Sequence, residues 1–164
     1  MCSTIEHDER ADLPMLENAL LWSMRAWTIG LTRGIPVEER IDELFARIGA
    51  PAAAGQLYGF MWIIGHCAAR ALEVDCVCNP RISADERRLL DILALTQHGR
   101  AAEAQALLAS LVSGQAAAAA AASAQQITAI LATSGRFLAR RPLAPRDDGQ
   151  RPGVAASHRP ITIH

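Results

Sequence analysis

The sequence predicts an all-α fold: a single-domain bundle of about six helices with a flexible C-terminal tail. Three observations point there. Apolar residues recur at three- and four-residue spacing in consecutive stretches along most of the chain. Alanine, the strongest helix former, is the commonest residue, and no strand-period segment stands out before the last few residues. At 164 residues and 51% hydrophobic content, the chain can build one real core and is too apolar for a disordered polymer.

Residues 1–11 read as a frayed N-terminus, residues 12–141 as the helical domain, and residues 142–164 as a Pro/Arg-rich tail. Asp12 can cap a first helix, with Pro14 tolerated in its opening turn. Leu13, Leu16, Leu20, Met24, Trp27 and Leu31 form its apolar stripe, which ends near Gly34. Pro36, Glu38 and Glu39 open a second helix. Ile41, Leu44, Phe45 and Ile48 follow on one face, and Gly49 stops it.

Pro51 starts a third and most apolar helix. Gly55 and Gly59, four apart, are expected to admit a neighbouring helix closely. This helix is expected to decay near Glu73, with residues 74–82 as a loop turned by Asn79-Pro80. The stretch 50–72 is weakly polar enough to raise a membrane span. Its strongly apolar part is short, so a buried central helix is expected instead. Ser83-Ala84-Asp85-Glu86 is a capping-box pattern opening a fourth helix that ends at Gly99. A fifth stops before Gly114. A sixth starts in the alanine run 116–122 and is expected to reach Pro142. Ile161-Thr162-Ile163 is the only β-prone piece.

All sixteen basic residues are Arg, so lysine chemistry is excluded. A net charge of -1 gives no global excess for neutralising phosphates, and nucleic-acid binding is not expected. A helix-turn-helix over residues 83–112 would meet bases with only Arg100, Gln105 and Ser110. Charge is uneven, however. Residues 1–17 carry five acids against one Arg, and residues 136–164 carry six Arg against two Asp. The basic end reads as a solubilising tail. No leader pattern opens the sequence, so a cytoplasmic setting with reduced thiols is expected, without membrane association.

One segment could carry chemistry. His66, Cys67, Cys76 and Cys78 lie within thirteen residues. Thiolates with an imidazole suit zinc, with Cys2 as another possible ligand. Against this, His66 and Cys67 point about 100° apart on a helix, and structural zinc prefers wider cysteine spacing. A redox pair at Cys76 and Cys78 is the other reading, and ordinary packed thiols are a third. No phosphate cradle, His-Glu-x-x-His helix or nucleophile elbow is present. Trp22, Trp27 and Trp62 read as core or interface residues.

The run from Cys76 through Asn79-Pro80-Arg81 to Ser83-Ala84-Asp85-Glu86, followed by Leu89-Leu90, Gln97-His98-Gly99-Arg100 and Ala106-Leu107-Leu108, resembles a family of small Ala/Arg-rich helical proteins from high-GC proteobacteria. The resemblance spans residues 16–140. It implies a helical fold with a cysteine-bearing Pro-Arg loop before a Ser-x-Asp-Glu helix start. Members carry Cys-x-x-Cys-like or Cys-x-Cys-Cys clusters where this chain has Cys-x-Cys. It implies no activity and no catalytic residue. The sequence therefore predicts a non-enzymatic helical interaction or regulatory module, self-associating as a homodimer. Zinc binding through Cys67, Cys76, Cys78 and His66 is one alternative, and thiol redox chemistry another. Capping of the fourth helix by Ser83 and Glu86 is the sharpest structural expectation.

Overall fold

The computed structural model describes residues 9–140, residue 142, and the backbone of 161–163. It is all-α. A turn of 3-10 helix, Arg10–Asp12, precedes α1 (Met15–Arg33), α2 (Glu38–Arg47) and α3 (Ala52–His66). A short strand β1 (Leu72–Val74) leads to α4 (Ala84–Gln97), α5 (Ala101–Leu111) and α6 (Ala116–Thr133), and β2 (Ile161–Ile163) follows.

The most extensive packing is between α3 and α6, with α4 against α5 and α6 next. Leu57, Phe60 and Ile64 of α3 are fully buried, as are Ala120, Ala124 and Ile127 of α6. The small residues that make room are therefore on α6. Gly55 and Gly59 face outward, and a Cβ built on either meets nothing within 4 Å. This corrects the close-crossing expectation. It also fixes the sign of a test: Gly55→Ala and Gly59→Ala should each raise stability by about 0.5–1 kcal/mol in chemical denaturation, since each gains helix propensity and meets no clash.

Three helix ends differ from the periodicity. Met15 follows Pro14, which takes the N-cap position expected of Asp12. α3 stops at His66 rather than near Glu73. Beyond it, Ala69 N donates to Leu111 O at 2.9 Å and Ser113 N to Cys67 O at 3.1 Å, so the backbone bonds across the fold instead of along a helix. Fifteen residues are too few for the expected apolar stretch to cross a bilayer. By length and composition alone, α6 passes that test, with 28% of its window buried. α6 ends at Thr133 because Gly135 adopts φ 69°, the left-handed conformation that closes a helix. Leu138 is buried without being helical. Its N–H donates to Gln97 Oε1 at 2.7 Å, and its carbonyl lies 2.8 Å from His98 Nε2.

β1 pairs antiparallel with β2, with Leu72 opposite Ile163 and Val74 opposite Ile161. The β-prone piece of the expected tail is thus strand. The rest of that tail, 143–160 and 164, lies outside the described residues, as do residue 141 and residues 1–8, and with them Cys2.

Candidate functional site

The Asn79-Pro80 turn stops any helix from entering α4, so α4 must start afresh at Ser83. Ser83 Oγ accepts from Glu86 N at 3.1 Å, and Glu86 Oε2 accepts from Ser83 N at 2.8 Å. The capping box is complete, as the sequence predicts. Ser83 Oγ also donates to Glu73 O. Ser83→Ala should cost about 1–2 kcal/mol in thermal unfolding, through the lost cap and the lost bond to the Glu73 carbonyl.

Glu86 has a larger role than capping. It is fully buried and paired with Arg25 from the middle of α1, also fully buried. Arg25 Nε donates to Oε1 at 2.7 Å and Nη2 to Oε2 at 2.9 Å. The remaining Arg25 donors reach three loop carbonyls: Cys76 at 3.1 Å, Asn79 at 2.7 Å and Arg81 at 2.5 Å. All five guanidinium N–H groups are used. Glu86 Oε1 also accepts from Asp75 N at 2.9 Å. With Ser83 N and the two Arg25 contacts, the carboxylate is filled as well. The pair clamps the segment 75–83 from inside the fold.

Its neighbour Asp85 ties the other side of the loop. It accepts from Arg70 in bidentate fashion at 2.5 and 2.8 Å, from Glu73 N at 2.9 Å and from Arg88 at 2.8 Å. Burial pushes the Asp85 carboxyl up. The Arg70, Glu73 N–H and Arg88 bonds outweigh it and hold the carboxyl below its ordinary 3.8. A depressed folded-state pKa gives stability that is present above the ordinary value and lost as pH falls through the folded one. Acid unfolding monitored by circular dichroism should therefore begin below about 3.8, and Asp85→Asn should flatten that limb.

Cys76 and Cys78 form a disulfide within this clamped loop, with Cα atoms 5.4 Å apart. Cys78 is exposed and Cys76 half-buried. Arg10 Nη1 donates to the carbonyl of Val77, between the two cysteines, at 2.6 Å. The Arg10 N–H further ties the N-terminal turn to the loop by donating to Pro80 O at 2.7 Å.

The proposed metal ligands are not brought together. Cys76 and Cys78 are spent on each other. Cys67 is a free, half-buried thiol at the end of α3. His66 is exposed, stacks on Trp62 at 3.7 Å between ring centroids, and points Nδ1 at Trp62 O at 3.0 Å. Among the described residues, no three His, Cys, Asp or Glu side chains are placed to hold a metal ion. Trp22 and Trp27 pack against the core and Trp62 stands out from it.

Arg25 is the residue that apolar periodicity passes over. The signal was present: between Met15 and Leu31 only Glu17 and Arg25 are charged, and both are buried. No family model, curated protein or solved structure matches the chain.

Proposed function

We propose that the chain is a redox-responsive helical module whose working element is the Cys76–Cys78 pair. One observation carries this: the pair is bridged with Cys78 exposed, on a loop whose shape is held by bonds that bypass the bridge. Opening the bridge therefore leaves the clamp in place. The two sulfurs stay near each other, which favours reclosure.

The chemistry is thiol–disulfide exchange. A partner's thiolate attacks the exposed Cys78 sulfur. The Cys76–Cys78 bond breaks and its electron pair leaves on Cys76, which takes a proton from water. A second thiol then displaces Cys78 from the mixed disulfide. Two electrons pass from the partner dithiol, which becomes a disulfide, to the cysteine pair, which becomes a dithiol. In the cytoplasmic setting that the reading includes, a protein disulfide is transient and redox-sensing rather than structural.

Oxidised glutathione added to Cys76→Ser tests the assignment. An adduct located by mass spectrometry on Cys78, formed faster than one on Cys67, supports it. Adduct on Cys67 with none on Cys78 contradicts it.

A second reading, self-association as a homodimer, is favoured by large apolar side chains left in solvent: Met15, Trp62 and Phe137 are 72%, 56% and 65% exposed. Light scattering on the full chain should give the mass of a dimer that Trp62→Arg or Phe137→Glu dissociates. A monomer at high micromolar concentration excludes this reading.

A further inference from the structure

Residues of α1 and α2 line a groove of about 860 Å³, within the range of small-molecule sites. Its apolar lining is Leu13, Met15 and Trp22 on one side, and Leu44 and Ile48 on the other. Four arginines, Arg10, Arg40, Arg47 and Arg136, share the lining with one carboxylate, Glu43.

That carboxylate does little to balance them. Glu43 reaches Arg47 at 3.6 Å, with both side chains mostly exposed. Arg136 Nε is spent on Ile48 O at 2.8 Å, and Arg10 bonds the neutral Asn18 side chain and the Val77 carbonyl. Arg40 is exposed and carries no ion pair among the described residues. An apolar floor under three unbalanced cations asks for an apolar body with an anionic head.

Size decides the kind of occupant. The lining runs from Met15 to Trp22 on α1 and from Arg40 to Ile48 on α2, about 10 and 12 Å of helix. A stable protein interface needs about 800 Å² from each partner, more than a groove of this length offers. We infer that the α1–α2 groove binds a small anionic amphiphile, a medium-chain alkyl carboxylate, with the head held at Arg40 and the chain running along Leu44 and Ile48 against Trp22, Arg47 adding positive charge farther along α2. Guanidinium groups meet carboxylates in bidentate geometry, which suits this head. The inference is independent of the redox reading, because no sulfur takes part.

Decanoate titrated into the full chain is the test, followed by tryptophan fluorescence and by calorimetry at low salt. One molecule should bind per chain, saturably, with Kd between about 10 µM and 1 mM. Trp22→Phe should remove most of the fluorescence change. Arg40→Gln with Arg47→Gln should weaken binding about tenfold, and decyltrimethylammonium should not bind. If the double variant fails to fold, salt on the unaltered protein takes its place, and added salt should weaken binding. Unsaturable binding, equal affinity for the ammonium amphiphile, or indifference to both charge removal and salt overturns the inference. So does saturable binding of an acidic amphipathic peptide where decanoate gives none, which would make the groove a protein-docking site.

Discussion

Arg25→Met should cost about 3–5 kcal/mol, the largest loss expected from any single polar side chain here. The substitution leaves Glu86 charged, fully buried and without its guanidinium. The carbonyls of Cys76, Asn79 and Arg81 each lose the Arg25 donor in the same step. Against a domain stability of about 5–15 kcal/mol, this is a large fraction of the whole. Urea denaturation measures it, and the loop should show it locally as faster amide exchange at Asp75 and Ser83. Adding Glu86→Leu should recover much of the loss, because it removes the stranded charge. A double variant no better than the single one would mean that Arg25 acts mainly through the loop carbonyls.

Phe60→Ala is expected to be as damaging, at about 3–5 kcal/mol, for a different reason. Phe60 is fully buried on α3, the helix that packs most extensively against α6. The small buried residues of α6, Ala120 and Ala124, cannot expand to fill the space. The exposed Phe137 is the matched control, and Phe137→Ala should change stability by less than about 0.5 kcal/mol. Comparable losses at both positions would contradict this assignment of core and surface.

Six helices were legible because apolar periodicity and glycine stops report burial directly. The left-handed glycines at 34, 49 and 99 close helices where the pattern does, and α5 ends at Leu111, shortly before Gly114. Legibility failed where tertiary bonds compete with local ones. Residues 67–69 and 71 are small and apolar and continue the helical reading, yet the backbone there bonds to the α5 end. Gly55 and Gly59 had the spacing of a close crossing, but spacing does not say which side of a helix faces the core. The capping box was readable because all its parts lie within four residues. The Arg25–Glu86 clamp was not, because its partners are 61 residues apart. The cysteine loop was singled out, but whether its thiols meet a metal or each other depends on loop geometry that spacing leaves open.

The most direct measurement is the redox equilibrium of the Cys76–Cys78 pair in glutathione buffers, with the dithiol and disulfide forms separated by mass after acid trapping. A reversible two-electron transition between about −270 and −120 mV, the span of known thiol–disulfide exchangers, is the predicted result, with folding retained at both ends of the titration. A pair that stays bridged below about −300 mV would be a structural staple, and a pair that never closes would be two ordinary thiols. Either result contradicts a redox-responsive loop.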